Sequence, residues 1–143
     1  MSKINIPIKV PVIFHEDYIC VYRVWFGDFF YIGSTMNLPH RMICLSKTIS
    51  DCFDGKRVGE NSQTAIMNHL IDHPNIVEGI AEVLEFVESE YDLVFAEWRW
   101  LNKYYNDFNC LNQTDKTSRK INGIIIRPHD KKVQIRHNPG KRD

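Results

Sequence analysis

Two side chains invite a chemical reading first. Glu97 lies three residues after Val94 and four before Leu101, at the rim of an apolar stripe. Arg41 stands in the same relation to Leu38 and Leu45. A guanidinium is a fork for anionic oxygens, and a carboxylate can hold a hard cation. Either the two point into a shared groove, or they are two ordinary boundary charges. Tyr22 and Tyr31 add a second pair. They fall near facing positions of two successive β-branched and aromatic runs, so two phenols can stand on one sheet face beside the helix that carries Arg41. Gly33 has no side chain, which allows backbone or substrate to approach closely.

Elements must position these groups. Tyr18–Phe26 and Phe29–Gly33 read as strands, and Gly27-Asp28 between them reads as a two-residue hairpin turn. Asn37 can cap a helix that tolerates Pro39 in its first turn and places Leu38, Met42 and Leu45 on one face. Residues 47–62 read as a loop. Ser62 can cap a second helix reaching about Asp72, stopped by Pro74. Val77–Val87 reads as a third strand. The longest helix is expected over Glu88–Tyr105, with Tyr91, Val94, Phe95, Trp98, Leu101 and Tyr105 as its stripe. Arg99 and Lys103 are then in solvent, and Trp100 is turned aside toward the C-terminal extension or a partner. Asn109–Asn112 returns as a short extended piece. Ile6–Phe14 is an arm or edge strand, because Pro7 and Pro11 cannot donate to a ladder. Ile124–Ile126 and Val133–Ile135 suggest a late hairpin turning at Pro128-His129-Asp130. The expected fold is α/β: a small, mainly antiparallel three-stranded sheet with flanking helices in the order β-β-α-α-β-α, plus a basic C-terminal extension.

Composition bounds the rest. With 143 residues, 43% apolar and 25% charged, the chain can build one real core. No apolar run is long enough to span a bilayer, and Met1–Val12 does not resemble a secretory signal. The expected location is therefore cytoplasmic, with no membrane partner. Cys20, Cys44, Cys52 and Cys110 show neither Cys-x-x-Cys pairing nor regular spacing, so free thiols are expected. His69 and His73 have helical spacing, but Leu70 stands where a zinc-protease pattern needs glutamate. Charge divides unevenly. Residues 1–114 carry nine Lys and Arg against fifteen Asp and Glu, a balance of −6; residues 115–143 carry nine against three, a balance of +6. The basic stretch can neutralise phosphates or simply be solvated. The organisation expected is a domain over 1–114 with an extension over 115–143.

Order and spacing carry a family resemblance. Tyr31-Ile32-Gly33, then Asn37-Leu38, then Arg41 eight residues after the glycine, resembles the second motif of the GIY-YIG nucleases. Cys20-Val21-Tyr22 is similar to the first motif, with cysteine and valine where the family has glycine and isoleucine. Tyr22 or Tyr18 takes the place of the first tyrosine. Glu97 and, fifteen residues on, Asn112 match the helix glutamate and the following asparagine. The resemblance covers about residues 18–112. Many members carry a histidine or tyrosine where this chain has Leu45; His40 and Lys47 stand nearby as substitutes.

The resemblance implies an endonuclease that hydrolyses DNA phosphodiesters with one Mg²⁺ or Mn²⁺. Glu97 would hold the metal, Arg41 would clamp the phosphate, and Tyr22 would help deprotonate the attacking water, with Tyr31 orienting it. Gly33 and Asn112 would support the site. Beyond Arg41, the candidate nucleic-acid contacts are Lys47, Arg119, Lys120, Lys131 and Lys132. Sequence-specific cutting would call for a homodimer or a partner protein. The rival is the same fold holding nucleic acid or a protein without cleaving it.

Overall fold

The computed structural model describes residues 6–10, 19–53 and 64–129. Its centre is a hairpin of β2 (Ile19–Phe26) and β3 (Phe29–Thr35), paired antiparallel from Cys20 opposite Thr35 to Phe26 opposite Phe29. Gly27 opens the two-residue turn at φ 69°, a conformation glycine adopts without steric cost. On its other side β2 pairs antiparallel with β4 (Gly79–Val87), and β4 pairs parallel with the short β1 (Ile8–Lys9). The sheet is therefore mixed and four-stranded, in the order β1-β4-β2-β3, where three mainly antiparallel strands are expected from sequence. The extra strand is the arm: Pro7 keeps it at the sheet's end, and its carbonyl accepts from the Gly79 amide at 2.9 Å. The remainder of the expected arm, including residues 11–14, lies outside the described residues.

Side-chain alternation along β2 divides the core into two layers. Tyr22, Val24 and Phe26 face helices α1 (Leu38–Phe53) and α2 (Thr64–Asp72). Val21 of β2, with Phe30 and Ile32 of β3, faces helix α3 (Glu90–Tyr104), which buries Leu93, Ala96 and Leu101 against them. Helix α1 continues through residues 47–53, which composition alone suggests are loop. Ile49 prolongs the Leu38, Met42, Leu45 spacing into the core, and Ser46 ties the helix to the arm by donating to the Ile6 carbonyl at 2.7 Å. Burial of one face outweighs the weak helix preference of Thr48, Ser50 and Asp51.

Helix α3 starts at Ser89, whose hydroxyl accepts from the Asp92 amide at 3.1 Å. Its stripe is rotated from the expected one by about one residue. Leu93, Ala96, Leu101 and, partly, Trp100 and Tyr104 pack on the sheet, while Tyr91 is exposed. This puts Trp100 on the inner side, where its indole N–H donates to Glu85 at 2.9 Å. It also moves Glu97 from the rim onto the sheet-facing side, between Leu93 and Leu101.

After α3, Asn109–Asn112 runs along the outer edge of β3. The Phe30 amide donates to the Asn109 carbonyl, and the Leu111 amide to the Phe30 carbonyl. The extension then forms its own hairpin, β5 (Arg119–Ile121) and β6 (Ile124–Ile126). This lies one strand earlier than the expected Ile124–Ile126 with Val133–Ile135, and the turn is Asn122-Gly123, both with positive φ. Residues 130–143 lie outside the described set. All four cysteines are free, and no helix among the described residues is long and apolar enough to cross a membrane.

Candidate active site

Four elements bring Tyr22, Tyr31, Arg41 and Glu97 within electrostatic reach of one another around Gly33 and Ser34. Tyr22 stands opposite Gly33 in the β2–β3 register, and its ring lies across the glycine. A Cβ at position 33 would come within 2.6 Å of Tyr22 Cζ and closer still to its hydroxyl. The glycine is thus a matter of space, with no unusual backbone angle. Gly33→Ala should displace the Tyr22 ring and cost about 1–3 kcal/mol, as overpacking does. Urea denaturation measures this; an unchanged midpoint would contradict the packing.

The turn between β3 and α1 aims Arg41. Thr35 Oγ1 accepts from the Asn37 amide at 3.0 Å, Asn37 Oδ1 accepts from the His40 amide at 3.1 Å, and the Arg41 amide donates to the Asn37 carbonyl at 3.0 Å. Asn37 therefore serves as the helix cap. The Arg41 guanidinium lies beside the Tyr22 hydroxyl, near enough for its charge to favour the ionised phenol. Tyr22 is 1% exposed. Burial pushes its phenol above the ordinary tyrosine range; Arg41 pulls the other way without offsetting it. Burial thus works against the ionised phenol that a base at this position needs, and Arg41 works toward it.

Glu97 enters from α3 on the opposite layer. Its Oε1 accepts from Ser34 Oγ at 2.6 Å and from Thr117 Oγ1 at 3.0 Å. Burial raises its pKa, while those hydrogen bonds and the charges of Arg119 and Arg41 counter in part. Ser34 and Thr117 are site residues that the sequence reading does not single out. Ser34 directly follows the Tyr-Ile-Gly run. Thr117 lies in the extension, and its contact rests on a fold-back that no local pattern signals.

Asn112 works through the backbone. Its Oδ1 accepts from the Ile32 amide and its Nδ2 donates to the Ile32 carbonyl, both at 2.9 Å. The amide thus imitates a neighbouring strand between Tyr31 and Gly33. Asn112→Ala should cost about 1–3 kcal/mol by freeing both groups, and should speed hydrogen exchange at the Ile32 amide. Exchange at the wild-type rate would contradict it.

Other candidates stand elsewhere. His40 is exposed, with Nε2 3.5 Å from Cys44 Sγ. Lys47 is exposed and pairs with Asp51 at 3.5 Å, and Leu45 is fully buried. Arg119 is held by Glu90 at 2.8 Å, and Lys120 is exposed on β5. Tyr18, Lys131 and Lys132 lie outside the described residues.

The donors at the site fit a hard cation. Among the described residues no three His, Cys, Asp or Glu side chains converge on one point. The carboxylate at this point is Glu97, whose Oε1 accepts from the hydroxyls of Ser34 and Thr117. An all-oxygen set with a single carboxylate suits Mg²⁺, which keeps most of its waters. A scan of family models returns no match to this chain, and neither do searches of curated proteins and of solved structures.

Proposed function

We propose that this chain is a divalent-metal-dependent endonuclease of the GIY-YIG type, hydrolysing DNA phosphodiester bonds. One observation carries the reading. Side chains from β2, β3, α1 and α3, separated by up to 75 residues, lie within electrostatic reach of one another near Gly33–Ser34 as one guanidinium, one half-buried carboxylate and two phenols. Such a set costs stability to bury and has a use at a phosphoryl group.

The proposed roles are these. Arg41, aimed by the Asn37 cap and braced by Tyr22, binds the non-bridging phosphate oxygens. Glu97, fixed by Ser34 and Thr117 through Oε1, is the residue that would hold Mg²⁺ or Mn²⁺. Such an ion would supply charge neutralisation at the leaving oxygen. Tyr31 orients the attacking water, and Tyr22 is a positioning residue acting through Arg41.

Incubation of the full chain with plasmid and branched DNA, with Mg²⁺ or Mn²⁺ and with EDTA, tests this. Cleavage that EDTA abolishes is the expected result; no cleavage on any substrate overturns it. One observation favours a second reading, a module that binds a partner without cleaving. A cleft of about 520 Å³ lies between β4 and α3, away from Tyr22 and Arg41. Glu88 and Asp92 line it together with Phe86, beside the Glu85–Arg99 ion pair, and those two carboxylates suit a basic protein segment. Association with such a segment in the absence of any nuclease activity would favour that reading.

A further inference from the structure

We propose that the β5–β6 hairpin is the duplex-gripping element of this site, a two-stranded ribbon that lays one face in a groove of double-stranded DNA. The inference rests on the nuclease reading above and adds to it the form of the substrate and the surface that holds it.

The two faces of the hairpin differ in kind. Arg119 pairs with Ile126 and Ile121 with Ile124, so these four share a face. Arg119, Ile121 and Ile126 are half-buried and Arg119 is committed to Glu90 of α3, while Ile124 beside the turn is 63% exposed. Lys120 pairs with Ile125, so these two share the other face, and Arg127 directly follows the end of β6. All three are exposed, Ile125 at 48%. Neither Lys120 nor Arg127 has an ion-pair partner among the described residues. A surface with two uncommitted cations around one isoleucine complements a polyanion with apolar groove walls.

The shape fits the same occupant. Asn122 at φ 51° and Gly123 at φ 81° make the turn type whose twist matches a two-stranded ribbon. A ribbon of this kind is one of the two elements that the DNA major groove admits. Position completes the case. Thr117 is hydrogen-bonded to Glu97, and Lys120 lies three residues further on. The ribbon therefore begins within about 10 Å of the carboxylate, the rise of about three base pairs. Lys120 and Arg127 contact phosphates on either side of the groove, and Ile125 packs against sugar or thymine methyl groups between them. Contacts to phosphate carry little sequence information, so the ribbon grips duplex rather than reading it.

The test uses the full chain with Glu97→Gln, which binds without cutting, and fluorescence anisotropy on one 20-base-pair duplex and its single strand. Lys120→Ala with Arg127→Ala should weaken duplex binding about tenfold or more and lower the slope of log K against log salt by about 2. Ile125→Thr should weaken duplex binding a few-fold and leave that slope unchanged. With Glu97 intact, the double substitution should raise KM for plasmid by a similar factor. Unchanged affinity, slope and KM, in a chain that still binds and cuts, would overturn the ribbon and spare the nuclease. Stronger binding of the single strand, or equal binding of duplex RNA, would overturn the choice of occupant. No binding by the parent and no cleavage by the wild type would overturn both.

Discussion

Glu97→Gln is expected to reduce metal-dependent cleavage by about 10²–10³-fold and, at neutral pH, to make the protein more stable. The two effects have one cause. Burial raises the Glu97 pKa, so the folded state favours the protonated acid over the carboxylate. The benefit of that preference is complete below the unfolded carboxylate range and is lost as pH rises through the raised folded value. Above it, the wild type bears an ionised group whose desolvation is only partly compensated. Glutamine keeps an oxygen for Ser34 and Thr117 and carries no charge. Its melting temperature should match the wild type in acid and exceed it near pH 8, where its unfolding free energy should be higher by an amount on the order of 1 kcal/mol. Thermal scans in EDTA from pH 4 to pH 8 measure this; a variant no more stable at pH 8 contradicts the assignment. Millimolar Mg²⁺ should then raise the wild-type midpoint and leave that of the variant unmoved.

Arg41→Ala should remove activity to a similar extent, but with the opposite effect on stability. The Tyr22 hydroxyl is buried beside the Arg41 guanidinium. Without the guanidinium it loses a partner that water cannot easily replace, at a cost of about 1–3 kcal/mol. Activity should fall by about 10²–10³-fold as the phosphate loses its clamp. Arg41→Lys should keep the charge and recover little, because an ammonium cannot grip a phosphate and the Tyr22 hydroxyl in a planar fork. Urea denaturation and cleavage rates on the two variants separate the functions. Full stability in Arg41→Ala would mean that the Tyr22 contact contributes nothing.

Local signals carried part of this structure and non-local contacts the rest. Gly27-Asp28 between two β-branched runs announced the central hairpin, and Asn37 announced the start of α1 at Leu38. The spacing from Tyr31 to Arg41 pointed at groups within electrostatic reach of each other, while Asn112, fifteen residues after Glu97, binds the Ile32 backbone. The end of α1 was obscured because Ser50 and Asp51 look like loop, while Ile49 is held by packing that no window of sequence shows. On α3, apolar residues occur almost all round, so two stripes were possible, and the sheet selects the one containing Glu97. Asn122-Gly123 is a strong hairpin signal in its own right, yet Pro128 drew the turn downstream. The parallel β1–β4 pair joins residues some 70 apart, and the Thr117–Glu97 bond spans 20. Neither has a local cause.

The pairing of Asn112 with Ile32 has a consequence for colloidal behaviour. β3 is a terminal strand, and a terminal strand with unpaired amides and carbonyls is a template on which a second molecule can extend the sheet. Here the Phe30 and Ile32 backbone groups are occupied by Asn109, Leu111 and the Asn112 amide. The segment after α3 thus guards against intermolecular strand addition, and it does so with a side chain that cannot propagate a ladder. Solubility and the alignment of Tyr31 beside Gly33 depend on the same two hydrogen bonds.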